Sequence, residues 1–182
     1  GNTLAKGFNE LGWHWWPSDT SILSRAYQGR NPCVNAGTCD LGCASGAKAS
    51  VDLTYWPQLL GKGVQLKTNC RVREITIQSN GKAGGVIYFD PDGQLQEQKA
   101  DLVIMACNGV GTPRIMLNSR SQEFPDGIAN RSGQLGKNLM FHPLSGVVGL
   151  FEEPMEGFKG PMACSIISQE FYETDPSRNF VR

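Results

Sequence analysis

Three thiols, Cys33, Cys39 and Cys43, fall within eleven residues of the stretch NPCVNAGTCDLGCASGAKAS, spaced C-x5-C-x3-C. Gly37, Gly42 and Gly46 leave this loop free to wrap a small object. Such a trio is compatible with a disulfide plus one free thiol, with a metal or cluster site, or with three unlinked thiols. Zinc prefers four ligands, often as two C-x2-C pairs, and neither pair is present. Iron–sulfur clusters take cysteine thiolates, and a three-iron cluster needs only three of them. Cys70, Cys107 and Cys164 stand in strand-like surroundings and read as small buried residues.

A second candidate is DLVIMACNGVGTPRIMLN, residues 101–118. Residues 101–107 are an apolar run without alternation, as expected of a strand covered on both faces. Asn108-Gly109-Val110-Gly111 supplies a turn. Thr112 then suits a helix N-cap and Pro113 the first helical position. A strand that feeds a helix N-terminus through glycines leaves unpaired N–H groups at a positive dipole end, where a phosphate or nucleotide can sit. An ordinary α/β junction that binds nothing reads the same way.

The elements around these candidates follow from periodicity. Residues 3–12 place Leu4, Phe8 and Leu11 on one helical face, with Gly12 to end it. Trp13, His14, Trp15, Trp16 and Pro17 form an aromatic cluster that reads as a core plug. Residues 17–32 are a polar loop. Residues 50–61 are helical but interrupted near Pro57, and Lys48 reads as a solvated lysine. Residues 64–68 read as a short strand. Residues 71–78, 85–89 and 95–99 form an antiparallel meander, joined by turns at Asn80-Gly81 and Pro91-Asp92-Gly93. Residues 124–130 are a loop, and residues 144–151 and 163–168 read as further strands.

The 182 residues suffice for one domain with a core. Seventeen Lys+Arg balance 17 Asp+Glu, and no charge run points to nucleic acid. No apolar stretch approaches the ~20 residues that span a bilayer. The chain opens on Gly1 rather than methionine, as expected of an excised fragment or a processed product.

GTPRIMLNS and, further on, PDGIANRSGQLGKNLMFHP resemble two motifs of the glucose–methanol–choline (GMC) oxidoreductases. Thr112, Pro113, Ile115, Met116 and Ser119 fit the first; Asn108, Gly109 and Arg120 depart from it. The second fits almost throughout. The cysteine loop resembles the Cys-x-x-Gly-Cys-Pro-x-Gly-Ala-Lys stretch of bacterial members, with Ala44 in place of the proline. The implied fold class is α/β (α+β): part of a FAD-binding domain with a three-stranded antiparallel meander, leading into a substrate-domain sheet. The implied boundary lies near Pro143, giving 1–143 and 144–182.

The resemblance implies an internal segment of a FAD-dependent enzyme that oxidises an alcohol or sugar, with partners in the rest of its own chain and, in one branch, an electron-accepting cytochrome. The family's GxGxxG fingerprint is missing, and neither His14 nor His142 matches its catalytic histidine. No catalytic residue is therefore expected in this stretch. Val72, Cys107, Asn108 and Thr112 are implied to line the adenine end of FAD, with Thr112 capping the helix. In the cytochrome-linked branch, cysteines spaced like Cys33, Cys39 and Cys43 hold a 3Fe-4S cluster. The rival reading is a non-catalytic iron–sulfur or metal-binding electron-transfer module. The compartment is open between the cytoplasm and a periplasmic or membrane-associated place in a bacterium.

Overall fold

The computed structural model describes residues 1–161, 165–173 and 176–178. The chain divides into two compact units, Gln65–Val148 and the pair of segments Gly1–Val64 and Gly149–Arg182.

The first of these is built on the expected meander. Strands β2 (Arg71–Ile77), β3 (Ala83–Phe89) and β4 (Leu95–Lys99) pair antiparallel in that order. The β2–β3 turn closes through Gln78 N–H to the Lys82 carbonyl at 2.8 Å, with Gly81 at φ +76. Asp90 makes the β3–β4 turn. Its Oδ1 accepts from the N–H groups of Asp92 and Gln94, and its Oδ2 from Gln96. These bonds, that of Gln94 foremost, hold the Asp90 carboxyl below the usual range. The register slips between Val72 and Glu74, so Arg73 is bulged. Helix α4 (Asn108–Asn118) packs on β2, around the buried Ile75.

In the other unit, α1 (Asn2–Glu10) buries Ala5, and Phe8 packs on Trp13, which meets Phe171 edge-on at 4.9 Å. The aromatic cluster is not the expected core plug: Trp13 packs on its neighbours, but none of residues 13–17 is buried, and Trp16, Leu4 and Leu11 are exposed. Strand β1 (Trp16–Pro17) pairs with β5 (Ile166–Ile167). Helices α2 (Val51–Thr54) and α3 (Trp56–Leu60) are separated at Tyr55, with Pro57 in the first turn of α3 where its missing N–H costs least.

Three expected strands are not formed. Residues 64–68, 101–107 and 144–151 carry no strand pairing. The reason is the same for each: an extended segment becomes a strand only when another backbone pairs with it, and among the described residues none does. Residues 166–167 of the expected 163–168 strand are paired as β5, while Ala163 and Cys164 lie outside the described residues. Cys70 and Cys107 are half-buried rather than buried. Many large apolar side chains are exposed, including Leu102, Ile104, Met140, Phe141, Val147 and Leu150. Among the described residues no helix is long and apolar enough to cross a membrane.

Candidate functional site

The residues 101–118 form one exposed extended stretch, one turn and one helix, but the helix begins earlier than its sequence suggests. Asn108, at φ +58, opens α4, and Thr112 and Pro113 lie inside it. Thr112 is therefore not the cap. The Asn108 side-chain oxygen takes the N–H groups of Val110 and Gly111 at 2.9 and 3.1 Å. Asparagine tolerates the left-handed conformation that this grip requires. Thr112 reaches back instead, its Oγ1 accepting from the Cys107 N–H at 3.3 Å. Pro113 removes a bond to the Gly109 carbonyl, which is exposed and open to water.

This self-capping changes the chemistry of the turn. Three donors that could cradle a phosphate, the N–H groups of Cys107, Val110 and Gly111, are spent on Thr112 and Asn108. What the turn offers outward is open space beside Gly109 and the exposed side chain of Val110. Such a surface fits an uncharged, planar group, the adenine end of a dinucleotide, better than a pyrophosphate. Val72 lies on the partly exposed end of β2. A groove of about 700 Å³ runs between α4 and residues 134–140; Thr112 lines it, but Val72, Cys107 and Asn108 do not.

The far end of α4 carries a feature that the sequence shows only as a motif match. Ser119 is 1% exposed. Its Oγ donates to the Ile115 carbonyl at 2.7 Å and accepts from the Ile75 N–H of β2 at 2.8 Å. Asn118 adds a 3.5 Å bond to the carbonyl of the bulged Arg73. The two family-like motifs meet here, because Ile128 donates its N–H to the carbonyls of Met116 and Ser119. Gly127 permits the turn at φ +95, where a Cβ would lie 2.7 Å from the Met116 carbonyl.

The cysteine trio is not gathered. Among the described residues, no group of three or more His, Cys, Asp or Glu side chains is placed to hold a metal. Cys33 Sγ is engaged by its neighbour Asn35, whose N–H lies at 3.4 Å. Cys43 Sγ turns into its own loop, accepting from the Lys48 N–H at 3.4 Å beside Ser45 Oγ at 3.6 Å. The Lys48 N–H, then Ser45, hold the Cys43 thiol down to about 7. Lys48 is not merely solvated: it is half-buried, and its Nζ donates to the Cys39 carbonyl at 2.9 Å. Arg30, unremarked in the sequence, fastens the loop from behind. Its guanidinium donates to the carbonyls of Gly46, Ala47 and Lys48 at 2.8–3.2 Å. A lone arginine in a polar loop gives no sequence signal for such a clamp. His14 contacts Glu170 at 3.3 Å and is 92% exposed, as suits a surface histidine.

The sequence profile of the GMC oxidoreductases matches residues 2–144. The 2-methyl-1,2-propanediol dehydrogenase of Mycolicibacterium austroafricanum is 39% identical over all of this chain and 33% of its own length. The fructose dehydrogenase large subunit of Gluconobacter japonicus is 28% identical over 91% of this chain and 30% of its own. Paromamine 6'-oxidase of Streptomyces fradiae is 27% identical over 79% of this chain and 27% of its own. The chain thus spans about a third of the length of the curated relatives it matches.

Proposed function

Since the chain belongs to the GMC oxidoreductase family, we propose that it supplies the adenine-side part of the FAD-binding domain in an enzyme that oxidises a CH–OH group of an alcohol or sugar. The observation that carries this reading is the family match over residues 2–144, which takes in both the meander and α4. The matched region is the family's FAD-binding domain. The similarity to a diol dehydrogenase and a fructose dehydrogenase supports a hydroxyl-bearing substrate. The electron-transfer module has no support, since its cysteine loop lies inside the matched domain.

The chemistry that FAD would supply when bound is hydride acceptance from the carbinol carbon, so the redox chemistry would belong to the cofactor. The residues of this chain have a different task. Val72 on β2 and the Cys107–Asn108 turn would flank the adenine, and Asn108 keeps the turn closed by holding Val110 and Gly111. Thr112 stiffens the turn through the Cys107 N–H. The proton of the hydroxyl goes to a base outside this chain, because neither His14 nor His142 stands in a site of that kind. The boundary to the substrate-domain sheet is placed near Pro143. A 3Fe-4S cluster on Cys33, Cys39 and Cys43, with a cytochrome as acceptor, rests on resemblance alone.

The test is anaerobic reduction of the full-length protein's bound flavin by a panel of vicinal diols, primary alcohols and sugars. Bleaching by at least one class is expected. A protein purified without flavin, unable to take up added FAD, overturns the reading. Iron and labile sulfide, assayed in the same oxygen-free preparation, decide the cluster.

A further inference from the structure

The Cys107–Asn108 turn proposed above sits at one end of α4, while the helix is fastened to the sheet at the other, where Asn118 and Ser119 meet Arg73 and Ile75 of β2. We propose that Ser119 is a positioning residue of the cofactor site, fixing through the Ile75 N–H the angle at which α4 presents the Cys107–Asn108 turn. The inference rests on the adenine-site reading and adds to it the part that sets its geometry.

The argument begins with β2 as an edge strand. In the order β2-β3-β4 its outer backbone groups have no strand partner. At Ile75 that outer N–H is met by a side chain, the Ser119 hydroxyl, at 2.8 Å. The same hydroxyl is held by the Ile115 carbonyl one turn back, so its direction is fixed. The Ser119 main chain is also occupied at both ends: its N–H bonds the carbonyls of Ile115 and Met116, and its carbonyl accepts from Ile128. With 1% exposure there is no water to replace the hydroxyl if it is removed. The Ile75 N–H would then be left buried without an acceptor, a state that folded proteins avoid.

The second tie is weaker and lies on the same strand. Asn118 reaches the carbonyl of Arg73, the bulged residue that follows Val72 directly. The end of α4 thus grips β2 on the side of Val72 as well as at Ile75. The eleven residues of α4 make a lever of roughly 16 Å at ~1.5 Å per residue. A tilt of about 5° at the Ser119 end moves the Asn108 end by roughly 1.4 Å, more than the ~0.5 Å within which a binding site must be held. Asn108 and Thr112 keep the turn rigid internally, so such a tilt carries it as a block.

The experiment compares FAD with FMN, which has the flavin and one phosphate but no adenosine. Dissociation constants are measured on the apoprotein of the full-length enzyme for the wild type, Ser119→Ala and Asn108→Ala. Ser119→Ala is expected to weaken FAD about tenfold and to leave FMN within about twofold. A support of the fold in general would weaken both cofactors alike, and that result, or no change in either, overturns the inference. If Ser119→Ala yields no folded apoprotein, Ser119→Cys keeps the volume while weakening the hydrogen bond, and it is read by the same ratio. Asn108→Ala separates the two levels. FAD binding weakened by Asn108→Ala but not by Ser119→Ala removes the inference alone. FAD binding untouched by Asn108→Ala removes the adenine-site reading, and the inference with it.

Discussion

Residues 71–78 and 101–107 both read as strands, yet only the first forms one, as β2 over Arg71–Ile77. β2 finds its partner after a five-residue turn, because Asn80-Gly81 folds the chain straight back onto β3. Its Ile75 is buried under α4. Residues 101–107 are more apolar, and Ile104 is nonetheless 81% exposed. An antiparallel hairpin brings its own neighbour, whereas a strand of the parallel kind needs one from a distant part of a chain. Burial of apolar side chains is thus not secured by their hydrophobicity. It depends on whether a facing surface is within reach.

The largest effect should separate the two runs most sharply. Ile104→Asp in the full-length enzyme is expected to cost about 4 kcal/mol, as for a charge placed in a buried strand. In the 182-residue chain alone it should shift the melting temperature hardly at all, since the side chain already faces water. Equal small effects in both proteins would mean that residues 101–107 stay uncovered in the complete enzyme as well.

Next in size is a change inside the meander. Gly85 is buried at φ +148, where a Cβ would meet the carbonyl oxygen of Gln98 on β4. Gly85→Ala should destabilise the Gln65–Val148 unit by about 3 kcal/mol in urea unfolding followed by circular dichroism. A loss below about 1 kcal/mol would show that the β3–β4 pairing gives way easily and that the meander is less self-sufficient than argued.

The turn that links residues 101–107 to α4 comes third. Asn108→Ala removes both the acceptor for Val110 and Gly111 and a residue suited to φ +58. It should cost about 1.5 kcal/mol, and Thr112→Ala about a third of that. The reverse order in thermal melts would return the cap to Thr112.

The smallest effect is chemical and tests the cysteine loop. Cys43, held to about 7, should react with iodoacetamide half-maximally near that pH, its rate rising as the thiolate forms. Arg30→Ala frees the carbonyls of Gly46, Ala47 and Lys48 and should slow alkylation at neutral pH by roughly tenfold. Unchanged rates would mean that the loop holds its shape without the clamp.

The amino-acid sequence determined the elements that close locally. The meander, its two turns, the helix break just before Pro57 and the first helix each depend on residues within a few positions of one another, and their chemistry is written at those positions. The two family motifs were legible for the same reason, as fixed residue types at fixed spacing. Three things were decided only in three dimensions. The start of α4 moved to Asn108 because a side chain there satisfies two N–H groups in a left-handed conformation, which outweighs the propensities of Thr112 and Pro113. The cysteine trio stayed apart because backbone donors claim the Cys33 and Cys43 thiols locally, and among the described residues no three ligating side chains converge. Arg30 and Ser119 owe their importance to carbonyls and an N–H far away in sequence, 16–18 and 44 residues off, and no periodicity or motif encodes a bond to another segment's backbone.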